Sequence, residues 1–99
     1  MAKVLSTLFR NLQIRSAALS VSSNIAEGYG RKTTPEYIRF LYIAYGSNCE
    51  METQILLSGD LGYIETGKLE ILQKEIGEVE RMLKALIKSL KKTLDSLNP

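Results

Sequence analysis

The clearest hydrophobic pattern lies in the last third of the chain. Between residues 67 and 97, apolar side chains recur at alternating spacings of three and four, with a single threonine in the series. The repeat consists of Leu69, Leu72, Ile76, Val79, Leu83, Leu86, Leu90, Thr93 and Leu97. Such spacing over several heptads is typical of a helix that packs along one seam against other helices. We therefore predict a helix over residues 67–97, about 45 Å long at about 1.5 Å per residue.

Two apolar stripes run along the beginning of the chain. One stripe consists of Leu5, Leu8, Leu12 and Leu19, with Arg15 where a further apolar residue would fall, and the other consists of Ile14, Ala18, Val21 and Ile25. Two stripes on one helix predict burial on more than one side. We place this helix at residues 3–27 and expect Gly28 to end it, because glycine is preferred just beyond a helix.

The middle of the chain combines a helix start signal with an apolar surface on nearly every side. Thr34, Pro35 and Glu36 supply an N-cap, a proline at the first helical position and an acid in the first turn. From residue 37 to residue 45, only Arg39 is charged. We predict a helix over residues 35–59 that is buried nearly all round. Three helices of one short chain cannot easily enclose it.

These three predicted helices define the fold. The chain has 99 residues, the size of one domain, and few prolines to interrupt helices. We predict an all-α protein, a single antiparallel helical bundle over residues 1–99 with short connections. Because a chain this short buries only a modest core, we expect it either to be marginally stable alone or to depend on partners.

Composition excludes several kinds of chemistry. The sequence has no histidine and one cysteine, Cys49. Without histidine the chain lacks the most common general base and zinc ligand, and one cysteine cannot form an internal disulfide. We expect Cys49 to be a buried, inert thiol. No signal peptide is evident in residues 1–12, and no apolar run approaches the roughly 20 residues of a membrane span. We therefore expect a cytoplasmic protein without a cofactor, metal or membrane partner.

The net charge of +2 conceals three blocks of opposite sign. Residues 1–49 carry six Lys/Arg and two acids, residues 50–80 carry two and eight, and residues 81–99 carry five and one. Pairing between these blocks, within one chain or between subunits, is expected to help set the packing. So small a net charge does not by itself indicate nucleic-acid binding.

Two basic groups are candidates for contact with nucleic acid. The first consists of Arg10, Arg31, Lys32 and Arg39. Tyr29 and Tyr37 flank its loop, where they either stack on bases or face the core. The second group consists of Arg81, Lys84, Lys88, Lys91 and Lys92. For it we favour a solvated outer face, stabilised by the helix dipole, over a contact with RNA or DNA. Its like-charge pairs four residues apart are mildly destabilising, which keeps the second interpretation open.

Polar residues on the apolar stripes predict a buried polar network. Arg15 and Glu52 lie on the stripes of two different helices, and we expect them to form a buried ion pair. Glu27, in the last turn of its helix, opposes the helix dipole and requires a nearby cation. The candidates are Arg31, Arg39 and Arg15. The candidate members of the network are Arg15, Asn24, Glu27, Ser47, Glu50 and Glu52.

A catalytic role is the weakest alternative. Glu50 and Glu52 are two residues apart on one helix, so their side chains point about 200° apart and do not face each other. An enzyme would need Glu27, Glu50 or Glu52 with a metal ion or water, assembled across subunits. We therefore predict that the protein is not an enzyme.

Several motifs, taken in order, resemble one protein family. They are Gln13-Ile14-Arg15, then Ser22-Ser23-Asn24-Ile25-Ala26-Glu27-Gly28-Tyr29-Gly30-Arg31, then Tyr37-Ile38-Arg39-Phe40-Leu41-Tyr42-Ile43-Ala44-Tyr45-Gly46-Ser47, and Glu50-Met51-Glu52-Thr53. From about residue 12 to residue 64 the chain is similar to the four-helix-bundle proteins encoded by intervening sequences in bacterial 23S ribosomal RNA genes. The last helix is similar to theirs by pattern.

This resemblance implies a cytoplasmic helical bundle that assembles into a homopentamer. A related branch, the accessory variability determinant of diversity-generating retroelements, is a pentameric barrel that binds nucleic acid and works with a reverse transcriptase. The molecular function of the intervening-sequence branch is not established. Members usually carry a further helix before the Gln-Ile-Arg motif, and only residues 1–12 precede that motif here. We therefore expect the bundle to lack that first helix.

The expected function is that of a non-enzymatic, oligomeric scaffold or adaptor. The alternative is a nucleic-acid-binding accessory protein that acts with a reverse transcriptase or with RNA.

Overall fold

The computed structural model describes residues 2–97, with side chains described for residue 2 and residues 10–97. Within this range the chain is all-helical and contains no strand. The helices are α1 (Ala2–Tyr29), α2 (Thr34–Asp60) and α3 (Thr66–Leu97). The predicted fold class is confirmed, and each helix boundary differs from its predicted position by at most two residues. The side chains of Leu5 and Leu8, in the first apolar stripe, lie outside the described part.

The start of α2 differs from the prediction in its capping residue. Thr33, not Thr34, has the extended backbone of an N-cap, with φ −119° and ψ 147°. Its hydroxyl accepts a hydrogen bond from the backbone N–H of Glu36 at 3.4 Å. Thr34 and Pro35 therefore lie in the first turn, where the missing N–H of proline leaves no helical hydrogen bond unmade.

Gly28 does not end α1, contrary to the prediction. The helix runs through it to Tyr29, and the positive φ found among the described residues is that of Gly62. A Cβ at Gly28 would lie 2.9 Å from Cβ of Phe40 and 3.0 Å from Cδ1 of Tyr37. Gly28 is therefore a contact residue, whose missing side chain lets the end of α1 approach the start of α2.

The helices are antiparallel, and α2 lies between the other two. Ser47 and Gln54 of α2 form hydrogen bonds with α1, whereas Tyr45 and Asn48 form hydrogen bonds with α3. Within the described chain, no Cα of α1 lies within 8 Å of a Cα of α3. The two outer helices are thus held together through α2.

The buried core surrounds α2 and draws on all three helices. Its central cluster consists of Val21 from α1, Ile38, Leu41 and Ala44 from α2, and Leu83 and Ile87 from α3. Four further residues of α3, Val79, Leu86, Leu90 and Leu94, are half-buried against this cluster. The second stripe of α1 and the seam of α3 therefore face α2. The seam does not extend to its predicted end, because Leu97 is exposed.

The molecule is elongated, with extents of 61 × 21 × 14 Å and a radius of gyration of 16.4 Å. A compact domain of this length has a radius of gyration of about 13 Å. The difference follows from long helices that flank α2 without closing around it. No helix within residues 2–97 is long and apolar enough to cross a membrane.

Candidate functional site

The junction of α1 and α2 gathers three residues of the first basic group. The guanidinium carbons of Arg31 and Arg39 each lie 4.8 Å from the centroid of the Phe40 ring. Phe40 is half-buried beside Gly28, so the ring is held by the close approach of the two helices. Lys32 is exposed in the connecting loop. The fold therefore concentrates positive charge around one aromatic ring at this end of the bundle.

The two tyrosines beside this cluster differ in exposure. Tyr29 is 79% exposed, whereas Tyr37 is half-buried and packs against the core. Their ring centroids lie 6.2 Å apart with the planes at 85°, an edge-to-face arrangement. The sequence left open whether these tyrosines face the core or stack on bases. Tyr37 faces the core, whereas the exposed ring of Tyr29 remains available for stacking on a base.

Arg10 is not part of the basic cluster, contrary to the grouping made from the sequence. It lies in the first half of α1 and is half-buried there. The remaining length of α1, at about 1.5 Å per residue, separates it from the Arg31 loop by about 28 Å along the helix axis. The nucleic-acid candidates that the structure brings together are Arg31, Lys32 and Arg39.

A hydrogen-bonded polar cluster joins α1 to α2. The hydroxyl oxygens of Ser20 and Ser47 lie 2.7 Å apart. Nδ2 of Asn24 donates to the carbonyl oxygen of Ser20 at 2.8 Å and to its hydroxyl at 3.1 Å. Two predicted network members, Asn24 and Ser47, are therefore linked through Ser20. Nothing in the sequence singled out Ser20, because its role depends on which face of α1 meets α2.

The expected ion pair between Arg15 and Glu52 is wrong for the single chain. Salt bridges within the described residues join other pairs, and Arg15 is exposed. Gln13, which accepts a hydrogen bond from Gln54 of α2, is two positions before Arg15. Two positions correspond to a rotation of about 200° about the helix axis, so Arg15 lies on nearly the opposite side of α1 from Gln13. Glu52 lies one turn after Asn48 and therefore on the side of α2 that faces α3.

Glu27 also lies outside the polar cluster. It is exposed and forms a surface salt bridge with Arg31, four residues later on the chain. Arg31 is one of the cations predicted for it. The pair holds the Arg31 side chain near Phe40 and is not a buried anchor of the bundle.

The remaining sequence candidates, Glu50 and Cys49, lie at the surface of α2. Glu50 is exposed and lines a cavity of about 260 Å³ with Leu12, Gln13 and Ser16. Within residues 2–97, no group of three or more Cys, Asp or Glu side chains could hold a metal ion. Cys49 is exposed, so the prediction of a buried thiol is wrong.

The α2–α3 contact contains polar residues whose role the sequence did not reveal. Asn48 is almost fully buried, and its Nδ2 donates to the carbonyl oxygen of Ile76 at 3.1 Å. The Tyr45 hydroxyl donates to Oε1 of Glu80 at 3.0 Å, and Nζ of Lys84 lies 3.4 Å from the same oxygen. The carboxylate raises the pKa of Tyr45 above its ordinary value of 10.0, chiefly through this hydrogen bond.

Comparison with known protein families shows the family to which the chain belongs. The family model described as 23S rRNA-intervening sequence protein matches residues 9–85. The chain belongs to this family. The match includes all of α2, the polar cluster and the basic cluster, so the resemblance read from the motifs is confirmed. No curated protein matches the sequence significantly.

Proposed function

We propose that this member of the 23S rRNA-intervening sequence protein family is a non-enzymatic, homo-oligomeric scaffold or adaptor. The observation that supports it most directly is the first apolar stripe of α1. Leu12 and Leu19 are 65% and 68% exposed, because the face that carries them lies outside the packed contact with α2. An apolar helix face of this kind marks a protein contact site.

The total surface supports the same proposal. The chain exposes 7007 Å², whereas a compact monomer of 11.1 kDa exposes about 5,700 Å² by the usual scaling with mass. Further apolar side chains contribute to this surface on the other helices, namely Ile43, Leu56, Leu57, Ile71 and Met82. Association of copies would bury surface that the single chain leaves in water.

Charge supports contact between copies as well. Arg15 lies between Leu12 and Leu19 on the exposed face, and its described surroundings contain no salt-bridge partner. The exposed acids of the middle block are likewise available on α2 and α3, as at Glu50 and Glu75. A basic residue on one subunit facing an acidic block on the next would fix the register of the assembly. The family resemblance implies five subunits.

Light scattering combined with sedimentation tests this proposal. We expect the unmodified chain to form an oligomer of defined mass, and Leu19→Glu to dissociate it, because a charge replaces an apolar contact. Ser89→Glu is the matched control, since it adds the same charge at an exposed position of α3. An unmodified chain that is monomeric at every concentration would exclude the scaffold function.

A second candidate function, nucleic-acid binding with a reverse transcriptase or RNA as partner, is favoured by the Arg31–Arg39 cluster. Two guanidinium groups at one aromatic ring, beside the exposed Lys32 and Tyr29, supply phosphate contacts and a stacking surface together. Retention on RNA or DNA over a salt series tests it, with Lys32→Gln/Arg39→Gln as the variant. Binding through phosphates must weaken with salt, and an absence of retention at low salt would exclude this function.

A further inference from the structure

A groove runs between the first half of α2 and the second half of α3. Its volume is about 550 Å³, within the range of about 300–1,000 Å³ that is usual for small-molecule sites. The lining residues are Tyr42, Tyr45, Lys84, Ile87, Lys88, Lys91, Lys92 and Asp95. The family match ends at residue 85, so most of the basic lining lies beyond the matched segment.

The four lysines of this Tyr42–Lys92 groove form a row along α3. From Lys84 to Lys92 the row spans about 12 Å at about 1.5 Å per residue. Among the salt bridges within residues 2–97, Lys84 is the one member of the row with a carboxylate partner, Glu80. Lys88 lies one helical turn from both Lys84 and Lys92, and like charges at this spacing repel. A bound polyanion would relieve that repulsion.

Aromatic rings lie directly beside the row. Nζ of Lys91 is 4.9 Å from the centroid of the Tyr42 ring and donates a hydrogen bond to its hydroxyl. Tyr42 is nevertheless 46% exposed. Nζ of Lys84 is 5.7 Å from the Tyr45 ring, and Ile87 is buried between the two helices. The groove thus combines flat, partly exposed ring surface with several cations.

We propose that the Tyr42–Lys92 groove binds nucleotides, with phosphates along the lysine row and a base against Tyr42. A row of about 12 Å exceeds the reach of one phosphate or carboxylate, which favours a ligand with several anionic groups over a fatty acid. Aromatic side chains accept any base by stacking. This site is separate from the Arg31–Arg39 cluster, and it does not depend on the self-association proposed above. Free nucleotides and single-stranded nucleic acid share this chemistry.

Fluorescence anisotropy with a labelled single-stranded oligonucleotide tests the proposal on the full chain. Ionic strength of about 0.01 M keeps charge interactions long-ranged, with a Debye length of about 30 Å. We expect Lys88→Gln/Lys92→Gln to weaken binding at least about tenfold and to reduce the salt slope by about 1.4, the value for two phosphate contacts on a single strand. Tyr42→Leu should weaken binding about tenfold through lost stacking. Lys74→Gln, at an exposed position of α3 outside the groove, should bind like the unmodified chain.

Competition separates the two sources of the ligand. Displacement of the oligonucleotide by a nucleoside triphosphate, but not by the nucleoside, assigns the groove to free nucleotides. Binding of the oligonucleotide alone assigns it to a nucleic-acid strand. Changes in the amide NMR chemical shifts of the unmodified chain on addition of the oligonucleotide give a measurement that does not rely on variants. These changes should concentrate at Tyr42 and Lys88–Lys92.

Two results of the binding assay would overturn the assignment. One is undiminished affinity in both the double lysine variant and Tyr42→Leu. The other is an absence of binding at low ionic strength. NMR shifts confined to Arg31, Lys32 and Arg39 would also overturn it, and would favour the second candidate function instead.

Discussion

The hydroxyl oxygens of Ser20 and Ser47 lie 2.7 Å apart, and this hydrogen bond joins α1 to α2. Asn24 reinforces it from one turn further along α1 by donating to Ser20. The cluster adjoins the apolar contacts of Val21 and Ala44, where slippage of one helix along the other would leave its polar groups unpaired. It therefore fixes the register of α1 against α2.

Ser47→Ala should lower the free energy of unfolding by about 1 kcal/mol, the usual net contribution of one hydrogen bond. Urea unfolding of Ser20→Ala, Ser47→Ala and the double variant measures it. Because both substitutions remove the same bond, the double variant should lose less than the sum of the single losses. Strictly additive losses would show that the two hydroxyls act independently.

Gly28→Ala should destabilise the protein by about 1–3 kcal/mol, because the new methyl group overlaps Phe40 and Tyr37. Gly46→Ala is the matched control. A Cβ at Gly46 meets no atom within 4 Å, so alanine should stabilise α2 by about 0.5–1 kcal/mol. Thermal melting of both variants compares them, and equal effects of the same sign would contradict the close approach at Gly28.

Glu27→Ala should change the free energy of unfolding by less than about 1 kcal/mol, because the Glu27–Arg31 salt bridge is exposed. The difference between variant and unmodified chain should shrink further in high salt. Chemical denaturation at two salt concentrations measures both effects. A loss of several kcal/mol would instead place Glu27 in a buried contact between subunits.

The Tyr45–Glu80–Lys84 contact predicts a loss of stability in alkali. The pKa of Tyr45 is raised chiefly by its hydrogen bond to Glu80, and the pKa of Lys84 is raised above 10.5 by its hydrogen bond with Tyr45 and then by the charge of Glu80. The folded state therefore holds both protons more tightly than the unfolded chain. The contribution of these two groups to the free energy of unfolding is complete below about pH 10 and is lost as the pH rises through their pKa values in the folded state.

Melting temperatures measured between about pH 9 and pH 11 check this dependence. We expect Tyr45→Phe to melt with a shallower alkaline slope than the unmodified chain, because it removes the coupled proton. Tyr63→Phe is the control, since Tyr63 lies near the α2–α3 turn, away from this contact. Identical slopes in all three proteins would show that the contact does not form in solution.

The helices could be predicted from the sequence because the spacing of buried side chains along a helix depends only on neighbouring positions in the chain. The α3 seam and the second stripe of α1 both face the core, as their spacing indicates. The contacts between helices were not predictable in this way. A stripe shows which residues share a face but not which helix that face meets, and for this reason Arg15 and Glu52 were paired wrongly.

In the candidate sites as well, features set by neighbouring residues were predictable, whereas features set by contacts between helices were not. The proximity of Arg31, Lys32 and Arg39 followed from their places around one short loop. Arg10 was grouped with them wrongly, because the length of α1 separates it from that loop. Phe40 as the shared ring, and Tyr42 beside Lys91, depend on interhelical register. The role of Gly28 depends on how close two backbones come, which a single sequence does not encode locally.

The position of α2 between helices that do not approach each other has a consequence for local unfolding. Either α1 or α3 can undock from α2 while the other stays packed, so the free energy of opening should differ between the two outer helices. Amide hydrogens of α2 that are covered from both sides, such as those near Leu41 and Ala44, should exchange with solvent only after both helices have opened. Protection should therefore be highest in the centre of α2.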